Sequence, residues 1–183
     1  MAGLCWGDAR QYVTRLYVRA FWGGKGLSLA ATAQLYYEDA GQIKLTGKSS
    51  VGNYSVIMAG APQEFIPPPL LDVGNNVYIG DQVNLRAVGG VIKIGNDVLI
   101  ANQVTIVASN HGTQPGQPMI LQSWRRGDVL IENDVWVGAG VVILPGATIR
   151  QGAVIAAGAV VRGEVPGKSI YGGIPARQIG LRS

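Results

Sequence analysis

The chain has 183 residues, 48% hydrophobic and 14% charged, and these proportions predict one folded domain and exclude a disordered chain. The formal net charge of +4 is small and scattered, which disfavours nucleic acid as a partner. The single cysteine, Cys5, excludes a disulfide framework and a cysteine zinc cluster. Because no run of about 18 apolar residues could span a membrane, we expect a cytoplasmic protein.

The first predicted element is a short amphipathic helix between Asp8 and Trp22. Apolar residues recur there at the three- and four-residue intervals of one helix face. We assign this helix to an N-terminal cap, residues 1–44. It would cover the open end of the structure that follows.

A six-residue repeat predicts the fold of residues 45–166. From Ile131 onward an aliphatic residue returns every six positions, and a small or β-branched residue follows each one four positions later. A helical stripe would recur every 3.6 residues, whereas a period of six fits short strands joined by tight turns. Three strands complete one coil of eighteen residues. We therefore predict an all-β, parallel β-helix of about five coils. The repeat positions from Ile131 are Ile131, Val137, Ile143, Ile149, Ile155 and Val161, with Val135, Val141, Ala147, Ala153, Ala159 and Val165.

Departures from the eighteen-residue period predict where loops leave the coils. The Pro-rich stretch Pro62–Leu70 is one insertion, and Gly89 with Gly90 marks a shorter bulge. The longest insertion predicts an extruded loop at residues 112–128. Residues 167–183, beyond the last repeat, are interpreted as a C-terminal tail.

His111 is the only histidine in the chain, and it stands where the longest loop begins. A long loop inside a regular solenoid is usually functional. A histidine there could act as a general base that takes a proton from a substrate hydroxyl. From its position alone, it could equally be a surface histidine at a turn.

Five stretches of the repeat region are similar to the hexapeptide-repeat acyltransferases, in particular the galactoside and maltose O-acetyltransferases and their polysaccharide-modifying relatives. The resemblance implies a left-handed β-helix, a homotrimer with each active site between two subunits, and acetyl-CoA as cosubstrate. The stretches are VNLRAV (83–88), IGNDVLIANQVTI (94–106), SNHGT (109–113), IENDVWVGAGVVILPGATI (131–149) and GGIPAR (172–177).

The same resemblance implies roles for individual residues. His111 would be the general base, and Asn84 would contact the acceptor. Loop residues Gln122, Trp124 and Arg125 are candidates to line the acceptor site, although an exposed loop is the alternative. The coenzyme would lie against Trp136, Ala139 and Ala157, with its phosphates near Arg162 or Arg177. The family often has a Thr-Lys pair where this chain has Arg162 and Gly163, so Arg162 would supply the charge from one position earlier, which leaves its detailed role open.

These residues predict direct acetyl transfer to a hydroxyl of a sugar or glycan precursor. The sequence contains no Gly-x-Ser-x-Gly elbow, so it does not indicate a covalent intermediate. Sugar acetyltransferases of the family carry acidic residues where this chain has Val88, Gly89 and Gly90, so we expect an acceptor other than a simple galactoside or maltose. The alternatives are an N-acyltransferase acting on an amino nucleotide sugar and a non-catalytic β-helical scaffold. A metal enzyme of the γ-carbonic anhydrase type needs three histidine ligands, so we expect no metal.

Overall fold

The computed structural model describes residues 26–37, 40–60 and 70–183, and these residues form a parallel β-helix. Each coil contributes one short strand to each of three sheets, here called A, B and C. The strands, in groups of one coil, are β1 (Ser28–Leu29), β2 (Gln34–Tyr37), β3 (Ile43–Leu45); β4 (Ser50–Val51), β5 (Val56–Gly60), β6 (Leu70–Val73); β7 (Tyr78–Ile79), β8 (Asn84–Val88), β9 (Val91–Ile94); β10 (Leu99–Ile100), β11 (Thr105–Val107), β14 (Val129–Ile131); β15 (Trp136–Val137), β16 (Val142–Ile143), β17 (Thr148–Ile149); and β18 (Val154–Ile155), β19 (Val160–Val161), β20 (Glu164–Val165).

The first strand of each group lies on sheet A, the second on sheet B and the third on sheet C. Every neighbouring pair among these strands is parallel. Two elements leave this pattern. A two-stranded antiparallel ribbon, β12 (Ser109–His111) with β13 (Trp124–Arg126), projects between β11 and β14, and β21 (Ser169–Gly172) with β22 (Arg177–Leu181) extends sheet A.

The predicted repeat positions line the interior of the β-helix. All twelve positions from Ile131 to Val165 are buried, and they stack in register on their sheets, as Ile100, Val137 and Ile155 do on sheet A. Burial of one such aliphatic side chain contributes roughly 1.5–3 kcal/mol. The columns of buried side chains therefore supply the main favourable term in folding, and the prediction of a parallel, all-β architecture is confirmed.

Polar side chains support the corner between sheets C and A. The Asn75 side-chain oxygen accepts from the Lys48 N–H, Asn96 accepts from the Asn75 N–H, and Asn133 accepts from the Asn96 N–H, at 2.8–2.9 Å. Each asparagine thus satisfies a backbone donor of the preceding coil that the strands leave unpaired. The ladder holds consecutive coils in register, so these residues lie one above the other although they are 27, 21 and 37 positions apart in the chain.

The coils begin upstream of the predicted boundary at residue 45. Strands β1, β2 and β3 pair in register with β4, β5 and β6, so the described chain has six strands on sheets B and C where about five coils were predicted. The buried residues Leu29, Leu35 and Ile43 are unevenly spaced, which conceals this coil from a period-six search. The predicted cap at 1–44 is therefore wrong for residues 28–37 and 40–44, which lie in the β-helix.

The predicted loop and tail differ in detail from the structure. The ribbon brings Ser109–His111 and Trp124–Arg126 together, so the insertion begins before residue 112 and is ordered at its base. Residues 169–181 of the tail form two strands that continue sheet A. The predicted helix Asp8–Trp22 and almost all of the Pro-rich stretch Pro62–Leu70 lie outside the described residues. Within the described ranges, no helix has the length and apolarity needed to cross a membrane.

Candidate active site

The ribbon places His111 against an aromatic ring at the edge of the β-helix. His111 and Trp124 are directly opposite each other on β12 and β13, their ring centroids are 4.5 Å apart, and the ring planes are inclined by 47°. The imidazole is exposed, whereas the indole is partly buried. The contact restricts the orientation of the imidazole and leaves it accessible to a substrate.

Gly89, directly after β8, provides the space in which Trp124 packs against the β-helix. Gly89 has a φ of +71°, and a Cβ added there would come within 3.3 Å of Trp124 Cε3 and of the Ser109 side chain. Ser109 Oγ donates in turn to the Val88 carbonyl oxygen. From the sequence, Gly89 is interpreted as part of a bulge and as a position without the family's acidic residue. The structure shows that its missing side chain allows the indole to approach the β-helix, and no sequence signal pointed to this contact.

Gln122 organises the loop from within. Its side-chain oxygen accepts from the Gln114 N–H at 2.8 Å, and its side-chain NH₂ donates to the carbonyl oxygens of Gln114 at 2.9 Å and Gln117 at 2.8 Å. The residue is only 8% exposed. These contacts occupy both donors of the amide and one acceptor site, so Gln122 shapes the loop beside Trp124. Arg125, the next loop candidate, is exposed.

Asn84 lies at the opposite end of β8 from the ribbon. Its side-chain oxygen is buried and has no hydrogen-bond partner among the described residues. The five residues from Asn84 to Gly89 correspond to roughly 16 Å of extended chain. The side-chain oxygen of Asn84 is therefore free to accept a hydrogen bond from a group outside the described residues.

The coenzyme candidates gather at the corner between sheets A and B. Trp136 is exposed on β15, and Ala139 lies one coil from Ala157, with the Gly158 N–H donating to the Ala139 carbonyl at 2.8 Å. Among the described residues, the backbone N–H groups of Ala139 and Ala157 have no partner. In earlier coils Asp81 and Asn102 serve such donors, accepting from the N–H groups of Asn53 and Asp81. The alanines have no polar side chain that could serve these donors, which therefore stay free.

The two candidate arginines lie near the end of sheet B. Arg162 is exposed directly after β19, and Arg177 opens β22 with its Nη1 donating to the Ala176 carbonyl at 2.9 Å. The Ala176 N–H donates to the Val160 carbonyl at 2.8 Å, which fixes the start of β22 beside β19. The structure thus brings Ala157, Arg162 and Arg177 to the last coils, as the coenzyme hypothesis requires.

A separate ion network lies on sheet C. Arg150 contacts Glu164 at 2.8 Å and Glu132 at 2.9 Å. The Arg150 hydrogen bond, followed by the Gln151 N–H, holds the pKa of Glu132 below its ordinary value of 4.5. Contact with Glu164 and Glu132 raises the pKa of Arg150. Because the pKa of Glu132 is lowered on folding, its contribution to stability is present above pH 4.5 and disappears as the pH falls through the folded-state pKa.

No group of three or more His, Cys, Asp or Glu side chains within the described ranges is arranged to hold a metal ion. Within one chain the imidazole and the indole lie between sheets B and C, whereas the free backbone donors lie at the corner of sheets A and B. An accessible imidazole can take a proton from a hydroxyl, and backbone N–H donors with arginines nearby can bind a phosphorylated ligand.

The comparisons with known proteins agree with the repeat. The family model "Bacterial transferase hexapeptide (six repeats)" matches residues 128–163. The chain is 35% identical over 113 residues to the putative lipopolysaccharide biosynthesis O-acetyl transferase WbbJ of Escherichia coli K12, covering 57% of each chain. It is 34% identical over 123 residues to the galactoside O-acetyltransferase of the same organism, covering 62% of this chain and 58% of the relative. The resemblance to the hexapeptide-repeat acyltransferases is confirmed.

The chain spans somewhat more than half the length of these two relatives, at 57% and 58%. Among solved structures, a variant of the N-acyltransferase AntD from Bacillus cereus, in complex with dTDP-4-amino-4,6-dideoxyglucose and coenzyme A, aligns with a TM-score of 0.73. That alignment covers 95% of this chain and 89% of AntD at 17% identity, which shows a shared fold.

Proposed function

We propose that the protein is an acetyl-CoA-dependent O-acetyltransferase that modifies a hydroxyl of a sugar or glycan precursor, with His111 as the general base. The observation that carries the proposal is the position of His111, exposed on an ordered ribbon and held against Trp124. The two E. coli relatives, both named as O-acetyl transferases, support the choice of reaction. A scaffold would have no need for an oriented, accessible imidazole.

The proposed reaction is one direct transfer in a ternary complex. His111 takes the proton of the acceptor hydroxyl while its oxygen attacks the thioester carbonyl, and a backbone N–H stabilises the oxyanion. The carbon–sulfur bond then breaks, and His111 returns the proton to the departing thiolate. The products are an acetyl ester and free CoA.

The proposed coenzyme site is the groove along the corner of Ala139 and Ala157. Their free backbone N–H groups suit the amide oxygens of a pantetheine arm, and exposed Trp136 provides an apolar wall beside them. Arg162 and Arg177 would meet the phosphates at the end of the groove. The complex of AntD contains coenzyme A, which supports a coenzyme site on this fold.

We further propose a left-handed β-helix and a homotrimer with shared active sites. The support is the buried, unpartnered side-chain oxygen of Asn84, at the end of β8 away from the ribbon. A partner subunit would supply the second half of each site. The acceptor would then bind between Asn84 of one chain and the ribbon of its neighbour.

N-acyl transfer to an amino sugar is the second candidate. The structural similarity to AntD, whose complex contains an amino sugar nucleotide, favours it. The identity of 17% with AntD supports only the fold, whereas the O-acetyl transferases match at 34–35%. Assaying hydroxyl and amino acceptors side by side distinguishes the two reactions.

The test compares acetyl transfer by the wild type and by His111→Ala, measured as the rate of CoA release in the presence of acceptor. We expect the variant to lose roughly 10²–10⁴ in rate, the usual loss when a positioned base is removed. CoA affinity and thermal stability should hold, because His111 is exposed. Thr113→Ala, an exposed change in the same loop, is the control. Wild-type turnover in His111→Ala would remove His111 from the mechanism.

A further inference from the structure

A partly buried arginine stands in the middle of β8, on the outward face of sheet B. Arg86 is in register with Met58 on β5 and with Val107 on β11. These apolar neighbours flank its aliphatic stem, and the guanidinium can extend to the surface between them. Arginine is a costly residue in such a row unless its charge meets a partner.

Within the described ranges, Arg86 has no partner. The ion pairs of this part of the chain involve Arg126, Arg150 and Arg182, and no hydrogen bond to the Arg86 side chain is present. The outward face of sheet B carries no acidic side chain in any of its six strands. Its outward residues are Gln34, Tyr36, Val56, Met58, Asn84, Arg86, Val88, Thr105, Val107, Val142 and Val160.

Arg86 lies between the two parts of the proposed acceptor site. It is two residues from Asn84 on the same face of β8, about 7 Å along the strand. Gly89, where Trp124 packs, follows three residues later. In the proposed shared site Arg86 is thus close to an acceptor that binds beside Asn84.

We infer that Arg86 is an anion-binding subsite of the acceptor site, and that the acceptor carries a carboxylate or phosphate near the hydroxyl that is acetylated. The inference rests on the proposed function and names its substrate class. A guanidinium presents a planar fork of donors that matches both anions. The absence of acidic residues at Val88, Gly89 and Gly90 fits the same charge, because a carboxylate there would repel such an acceptor.

The test compares three acceptors with the same sugar ring: a neutral methyl glucoside, the methyl glycoside of glucuronic acid, and glucose 1-phosphate. Arg86→Ala should lower kcat/KM for the charged acceptor by about 10- to 100-fold, the loss expected for a charge-assisted hydrogen bond. The neutral acceptor should change by less than about threefold. Arg86→Lys should recover part of the loss, because it keeps the charge without the fork. The charged acceptor whose kcat/KM falls more in Arg86→Ala identifies whether the subsite binds a carboxylate or a phosphate.

Lys93→Ala is the matched control, because it removes one exposed positive charge from sheet C. Calorimetry with the same three compounds, without acetyl-CoA, measures the subsite independently of turnover. Equal losses of kcat/KM for neutral and charged acceptors in Arg86→Ala would overturn the inference. Dissociation of the Arg86→Ala assembly in sedimentation would also overturn it, because it would assign Arg86 to a subunit contact. Anion binding that depends on Arg86, without acetyl transfer to any hydroxyl, would overturn the proposed function and leave the subsite standing.

Discussion

At the scale of single residues, the site depends on the absence of a Cβ at Gly89. Trp124 approaches the β-helix because Gly89 has no Cβ, and His111 takes its orientation from Trp124. The positive φ of Gly89 also favours glycine. Two independent requirements, backbone conformation and space, therefore meet at one position.

Gly89→Ala separates these requirements when it is compared with Gly146→Ala. Both positions have positive φ, and an alanine in that region costs roughly 1–2 kcal/mol. At Gly146 an added Cβ meets nothing within 4 Å, whereas at Gly89 it meets Trp124 and Ser109. We expect Gly89→Ala to lose more unfolding free energy in urea and also to lose acetyl transfer. Equal losses and unchanged turnover in both variants would show that Trp124 has no role in positioning His111.

At the scale of elements, the extruded loop is an ordered unit. The antiparallel ribbon closes its base, and the Gln122 amide ties its two sides together. These bonds are made within the loop, so its order is largely independent of the aliphatic columns. A change in the loop should alter the acceptor site and leave the β-helix intact.

Gln122→Ala tests the independence of the loop. The change leaves the Gln114 N–H and the carbonyls of Gln114 and Gln117 unpaired, at about 0.5–1.5 kcal/mol for each lost bond. We expect faster amide exchange in residues 112–124, unchanged exchange in the coils and a higher KM for the acceptor. Gln117→Ala, which removes one exposed bond to the Leu121 carbonyl, is the control. Faster exchange throughout the coils would show that the loop and β-helix unfold together.

Arg162 and Arg177, near the end of sheet B, allow a test of the proposed coenzyme site. Replacing both Arg162 and Arg177 by alanine should weaken CoA binding, and the difference from wild type should shrink as salt screens the charges. Both side chains are exposed, so we expect little change in unfolding temperature. Arg125→Ala, an exposed change on the ribbon, serves as the control. Unchanged CoA affinity at low salt would place the phosphates elsewhere.

At the scale of the whole molecule, the outer faces of sheets C and B differ in chemistry. Sheet C presents Lys44, Asp72, Lys93 and Glu164, which suit solvent. Sheet B presents mainly Val and Met side chains around Asn84 and Arg86. An apolar face with a buried, unpartnered polar oxygen is what a subunit contact would cover. The proposed trimer should therefore bury sheet B.

Val142→Arg tests this arrangement, because Val142 lies outward on sheet B between Thr105 and Val160. We expect the wild type to sediment at about three times the 19.2 kDa of one chain and the variant to dissociate. Dissociation should also abolish acetyl transfer if each site is shared. Thr148→Arg makes the same change on sheet C. A wild-type monomer at micromolar concentration would contradict the shared-site proposal.

The sequence by itself determined the regular part of the β-helix. From Ile131 to Val165 every predicted interior position is buried, because the period of six reflects the geometry of strand and turn directly. The position of His111 at the start of the long loop was also readable, since an insertion in a regular repeat stands out. The roles of the candidate residues stay predictions.

Only the tertiary structure decided what depends on contacts between distant residues. The coil from Ser28 to Leu45 is visible through its pairing with the next coil, because its own spacing is irregular. The ribbon, the seat of Trp124 on Gly89 and the internal bonds of Gln122 join residues whose spacing follows no repeat. Periodicity records burial along the chain. It carries no information about which side chains a loop brings back to the β-helix.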